Sequence, residues 1–167
     1  EQSGMDRGPD RAALAGLAHV VHRHDDAEVE LLAGAGGPPH GGRVAAVVVD
    51  DDADTLQLMT TALTSRQATV TAVSSAGEAI EAIKASRPDV LVSDIAMPDE
   101  DGYGLIRRIR SLENNSDSVI PAVAITAYAK EEDRNRALSS GFQIYLAKPI
   151  ELTELVSVVA KAARREF

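Results

Sequence analysis

From Val44 onward the hydrophobic positions fall into two kinds of segment that alternate along the chain. Short continuous apolar runs, "VAAVVV" from Val44, "TVTAV" from Thr69, "DVLVS" from Asp89, "AVAIT" from Ala122 and "QIYLA" from Gln143, are rich in β-branched residues and too short for helices. Between and after them the spacing turns helical. Leu56, Met59 and Leu63 stand at i, i+3, i+7; Ala79, Ile80 and Ile83 share a face, as do Leu105, Ile109 and Leu112. A polar helix is expected through Ala137 and Leu138, and an amphipathic one through Leu152, Leu155, Val156 and Val159. Ser75 with Glu78 three residues later reads as a capping box opening the second helix. Continuous apolar strands alternating with helices need parallel pairing with both faces of the sheet covered, and right-handed crossovers leave few topologies. The pattern predicts a doubly wound, flavodoxin-like α/β domain: a five-stranded parallel sheet of order 2-1-3-4-5 with five helices.

Residues 1–43 break this rhythm. They hold eight of the twelve glycines and all four histidines, and they end in "GAGGPPHGGR", too rich in Gly and Pro for a regular element. The expected division is therefore a tail or linker over 1–43 and a folded domain over 44–167. Within the tail, "DRAALAGLAHVVHR" suggests a short helix and "AEVELL" a short strand, neither long enough to stand alone.

Composition narrows the function. The chain has no cysteine, which removes disulfide frameworks and thiolate metal sites. A net charge of -9 disfavours binding to a phosphate backbone, so direct nucleic-acid binding is not expected. No apolar run approaches the roughly 20 residues of a membrane span, and no basic region followed by an apolar stretch marks a secretory leader. A soluble, cytoplasmic protein without membrane contact is the expectation, and Glu1 in place of a starting Met points to a fragment or processed chain.

The chemistry concentrates where the strands end. Ligands of such sheets bind outside the carboxyl ends of the strands, and those ends carry Asp50, Asp51 and Asp52, then Asp94, Thr126 and Lys148. Clustered carboxylates repel unless a cation compensates, which implies a hard divalent metal; magnesium fits, since it takes one or two carboxylates and leaves positions for phosphate oxygens. Thr126 offers a hydroxyl donor and Lys148 a mobile positive charge. Together they suit a phosphoryl group, open to in-line attack by the Asp94 carboxylate to give an acyl phosphate. Singly, each residue has an ordinary structural reading, such as a helix cap, a strand-end hydroxyl or a surface lysine. Their common position at strand ends is what carries the inference.

The segments "VVVDDD", "VLVSDIAMPDEDGYGLI", "PAVAITA" and "GFQIYLAKP" resemble, in order and separation, the signatures of the receiver domain of two-component response regulators of the chemotaxis-regulator type. The resemblance implies that Asp94 is the phosphoacceptor. It implies that Asp51, Asp94 and the backbone carbonyl of Ala96 hold Mg2+ directly, with Asp50 acting through water. Lys148 would contact the phosphoryl oxygens and join Pro149 by a cis peptide. Thr126 would be the switch hydroxyl and Tyr145 the aromatic that turns inward with it; Asp52 extends the acidic pair without assigned chemistry. Met97-Pro98 and Asp101-Gly102 match the loop and turn opening the third helix. The positions flanking the path of attacking water are a small Ala96 and an aromatic Tyr128, which leaves no side chain to orient that water, so a long-lived phosphoryl group is expected.

The implied donor is a histidine kinase or a histidine phosphotransfer protein. The implied output surface, for a downstream protein or a second copy of the domain, is the face of the fourth helix, fifth strand and fifth helix. Two alternatives stand beside this reading. "AGLAHVV" and "AEVELLAGAGG" faintly resemble the end of a histidine-kinase ATPase domain, which would make the chain the C-terminal receiver of a hybrid kinase. A magnesium phosphohydrolase of the haloacid-dehalogenase type would use a D-x-D pair such as Asp50 and Asp52, but it needs acids after the lysine, and no aspartate follows Asp133.

Overall fold

The computed structural model describes residues 42–114, 118–128 and 130–166. Five strands, β1 (Ala45–Val49), β2 (Thr69–Val73), β3 (Val90–Asp94), β4 (Ala122–Thr126) and β5 (Ile144–Ala147), alternate with α1 (Ala53–Thr64), α2 (Ala76–Ala85), α3 (Gly102–Leu112), α4 (Glu131–Ser140) and α5 (Leu152–Ala163). All pairings are parallel and the sheet order is β2-β1-β3-β4-β5, the expected flavodoxin-like topology. The helix and strand suggested in the tail lie outside the described residues. No described helix is long and apolar enough to cross a membrane.

Side chains of the central strands alternate between two cores. Val47, Val49, Leu91 and Ala124 face α2, α3 and α4, while Val48, Val92, Val123 and Ile125 face α1 and α5. Burial on both faces explains why β3 and β4 read as unbroken apolar runs, whereas the edge strand β2 alternates exposed and buried residues. Each large aliphatic side chain sealed in these layers contributes about 1.5–3 kcal/mol against conformational entropy.

Local sequence signals set the helix boundaries, with two departures from expectation. Ser75 caps α2 by accepting from the Glu78 N–H at 3.3 Å, but the Glu78 carboxylate reaches back one residue further than a capping box does, to the Ser74 N–H at 2.8 Å. Leu112, expected on the buried stripe of α3, is 56% exposed; Ile106 and Tyr103 complete that stripe with Leu105 and Ile109. As the last residue of α3, Leu112 lines an open groove with Ile80 and Lys84 of α2.

The polar helix α4 buries only Ala137 among its described residues. Its C-terminus is held from α3. Gly141, left-handed at φ +119°, presents its carbonyl to Arg110, which donates from Nε at 3.1 Å and Nη2 at 2.6 Å. The same guanidinium donates to the Ile120 carbonyl at 2.8 Å and to Glu113 Oε2 at 2.7 Å, while Glu113 Oε1 accepts from the Ile120 N–H at 2.6 Å. Gln143 closes the set, accepting from the Ala122 N–H at 2.7 Å. This network lies at the amino ends of β4 and β5.

Candidate functional site

At the opposite edge, parallel strands in register bring their carboxyl ends together. Asp50 directly follows β1, Asp94 ends β3, Thr126 ends β4 and Lys148 directly follows β5. Carboxylate oxygens of Asp50, Asp51 and Asp94 lie within 4.8 Å of one another; Asp50 and Asp94 are buried, Asp51 is exposed. Lys148 Nζ donates to Asp50 Oδ2 at 3.1 Å and lies 3.3 Å from Asp94 Oδ1. The second contact is an ion pair lying off hydrogen-bond direction, so Asp94 Oδ1 is buried without a hydrogen-bond donor. A buried polar oxygen in that condition is costly and calls for a partner.

The electrostatics agree with the geometry. Burial pushes the Asp94 carboxyl above its ordinary range and the neighbouring Asp50 charge pushes it further, against the opposing pull of Lys148. Burial by itself would lower the Lys148 ammonium, but its hydrogen bond to Asp50 and the charges of Asp94 and Asp50 outweigh that and raise it. Three carboxylates against one ammonium leave a formal excess of two negative charges among these groups. Hard oxygen donors, that excess and the donorless Asp94 oxygen together fit a divalent cation of the magnesium or calcium kind.

Asp52 stands apart from this centre. It is the N-cap of α1, accepting from the Thr55 N–H at 3.1 Å and from the Thr55 hydroxyl, and those bonds hold its carboxyl low. Asp50 Oδ1 accepts from the Asp52 N–H at 2.9 Å, which fixes the turn from β1 into α1.

Thr126 is buried and its hydroxyl oxygen accepts from the Tyr128 N–H at 3.1 Å; the Tyr128 carbonyl accepts from the Tyr145 hydroxyl. The backbone of Tyr128 thus joins Thr126 to Tyr145. Tyr145 is half-buried, whereas Ala96 and the Tyr128 side chain are exposed on the loops after β3 and β4. The Lys148–Pro149 peptide is cis, and the Lys148 N–H donates to the Thr126 carbonyl at 2.7 Å.

Two supports of Asp94 carry weak sequence signals. The buried Ser93 hydroxyl donates to the Asp94 carbonyl at 2.8 Å. Gly102, at the first position of α3, sits so close that a Cβ there would stand 2.5 Å from the Asp94 carbonyl oxygen and 2.8 Å from Ile95 Cα. A serine inside an apolar strand and a glycine opening a helix hint at these contacts without specifying them. The stacking of Arg136 on Tyr103, with the guanidinium carbon 4.3 Å from the ring centroid, has no sequence signal at all.

Residues 46–160 match the response regulator receiver domain family. The chain is 47% identical over 113 residues to an uncharacterized 14.6 kDa protein in the sodA1 3′ region of Leptolyngbya boryana, covering 68% of this chain and 85% of that one. It is 36% identical over 127 residues to the sensor protein GacS of Pseudomonas syringae pv. syringae, covering 75% of this chain and 14% of that protein. The solved structure of a putative response regulator from Chloroflexus aurantiacus resembles it with a TM-score of 0.68 at 29% identity, covering 74% of this chain and 99% of that one.

Proposed function

From the premise that this chain belongs to the response regulator receiver family, we propose that it accepts a phosphoryl group on Asp94 and converts that event into a change at its α4–β5–α5 face. Membership in a signalling family sets aside the haloacid-dehalogenase alternative. The observation that carries the proposal is the buried, donorless Asp94 oxygen beside Asp50, Asp51 and Lys148.

Asp50, Asp51 and Asp94, with the Ala96 carbonyl, are the residues that would hold Mg2+. When bound, the metal supplies charge neutralisation for phosphoryl oxygens. The chain's own groups do the rest. An Asp94 carboxylate oxygen bonds to phosphorus in line with the departing atom; the phosphorus–nitrogen bond of a donor phosphohistidine breaks, and its electron pair stays on that nitrogen. The Lys148 ammonium, hydrogen-bonded to Asp50 and 3.3 Å from Asp94, binds a transferred oxygen. The Thr126 hydroxyl turns its hydrogen toward the phosphoryl group, and Tyr145, tied to it through Tyr128, follows. Ala96 and Tyr128 place no amide or carboxylate where a hydrolytic water would be oriented, which favours a slow loss of the group.

The donor is a histidine kinase or a histidine phosphotransfer protein, in the cytoplasm; the recipient of the signal is a downstream protein or a second copy of this domain. The family match that begins at residue 46 supports the reading that the receiver begins near Val44 after a tail or linker over 1–43, and the match to 14% of GacS supports the alternative that the chain is the C-terminal receiver of a hybrid kinase.

Intact-mass measurement after incubation with acetyl phosphate and magnesium tests the proposal. One phosphoryl group is expected on the wild type, and none with a chelator or in Asp94→Asn. Equal incorporation in the Asn variant would overturn it.

A further inference from the structure

Helix α4 meets α3 through two arginine contacts of unlike kind. At its C-terminus, Arg110 grips the Gly141 carbonyl inside the polar network described above. In its second turn, Arg136 sets its guanidinium carbon over the Tyr103 ring, 4.3 Å from the centroid. Tyr103 directly follows Gly102, the residue pressed against the Asp94 carbonyl, so the ring stacked under Arg136 is rooted on the segment that supports the phosphoacceptor.

Tyr145 reaches the same place from the other side. It rests against the buried cluster that contains Tyr103, Ala137 and Phe142, and its hydroxyl donates to the Tyr128 carbonyl. Asp133, one turn before Arg136, is close enough to raise both phenols, each already raised by burial; Tyr103 adds to the rise at Tyr145, and Asp101 to that at Tyr103. Arg136 is the cation opposing those carboxylates at Tyr103. Because α4 buries only Ala137 among its described residues, this contact adds to what holds the middle of the helix against α3.

We propose that Arg136 is a positioning residue for the Thr126–Tyr145 switch: stacked on Tyr103, it holds α4 at the separation from α3 at which the Tyr145 hydroxyl reaches the Tyr128 carbonyl. The proposal rests on the receiver reading of Thr126 and Tyr145. Without the guanidinium, α4 remains pinned at Gly141 and pivots about that end. The Tyr128 backbone then moves, and Thr126 loses the N–H that orients its hydroxyl.

A merely structural role would leave distant groups untouched, which gives the test. Amide NMR spectra of the full chain, unphosphorylated and with a chelator, are compared for wild type, Arg136→Ala, Arg136→Lys and Tyr103→Leu. Arg136→Ala and Tyr103→Leu are expected to shift the amides of Thr126, Tyr128 and Ala147. Arg136→Lys, which keeps a cation over the ring, is expected to return toward wild type. In parallel, the rate of magnesium-dependent phosphoryl incorporation from acetyl phosphate is expected to change by about two- to five-fold in Arg136→Ala, the range a partly exposed cation–π contact supports. Shifts confined to α4 and the first turn of α3, or an Arg136→Lys spectrum indistinguishable from that of Arg136→Ala, would overturn the proposal. If no form gains a phosphoryl group, the receiver reading fails, while the NMR comparison still decides the role of Arg136.

Discussion

At the amino edge of the sheet a buried carboxylate, Glu113, has both oxygens engaged: one accepts from the Ile120 N–H and the other from Arg110. At the carboxyl edge Asp94 is equally buried, yet one oxygen accepts no hydrogen bond, facing only the Lys148 ammonium at 3.3 Å, and a second acid stands beside it. The same chemical group therefore stabilises one end of the domain and strains the other. Burial alone does not decide the effect; the inventory of donors does. An edge with every group satisfied resists change, and an edge with an unmet demand is ready for a cation or a phosphoryl group.

Removing one carboxylate charge from each end sharpens the contrast, and the largest effect is expected at Glu113. Glu113→Gln leaves an amide N–H facing Arg110 or the Ile120 N–H, and the loss in urea unfolding is expected to be about 3 kcal/mol. Next in size is Asp51→Ala. Asp51 is exposed, so metal-free stability should stay within about 0.5 kcal/mol. The magnesium-dependent gain, about 1.4 kcal/mol for wild type at tenfold excess over its dissociation constant, should fall to a few tenths.

Asp94→Asn is expected to work in the sense opposite to Glu113→Gln, stabilising the metal-free protein by about 1 kcal/mol at pH 7. The sign follows from the raised carboxyl. The folded state holds the Asp94 proton more tightly than the unfolded state, so stability falls as pH rises from the ordinary carboxylate range through the raised value. The advantage of the Asn variant should close as pH is lowered below the ordinary range, which unfolding midpoints across pH would register. A destabilised Asp94→Asn beside a neutral Glu113→Gln would reverse the comparison. The smallest effect is kinetic. Tyr128→Ala and Ala96→Asn should each speed loss of the phosphoryl group about threefold, read by intact mass after the donor is removed.

The carboxyl edge was far more legible in the sequence than the amino edge. Asp50, Asp51, Asp94, Thr126 and Lys148 interrupt apolar runs, and parallel pairing brings strand ends to one place, so a pattern of strands was enough to gather them. Arg110, Glu113 and Gln143 look in sequence like polar residues on a helix end and a loop. Their union depends on how α3 runs past β4 and on the turn at Gly141, neither of which has a periodic signature. Leu112 shows the same limit from the other direction. Its spacing matched the buried stripe, but periodicity says nothing about where the covering layer stops.

The pinch at Gly102 has a consequence for length rather than energy. Its N–H donates to the Ile95 carbonyl at 2.9 Å, which closes residues 96–101 into a loop with a fixed neck. Because the cost of closing a loop grows only slowly with its length, added residues around Pro98 to Glu100 would be absorbed as a wider bow while Asp94 and α3 kept their places. The neck has no such allowance: it is a seam one hydrogen atom wide, and even a single methyl group at Gly102 would have to force it open.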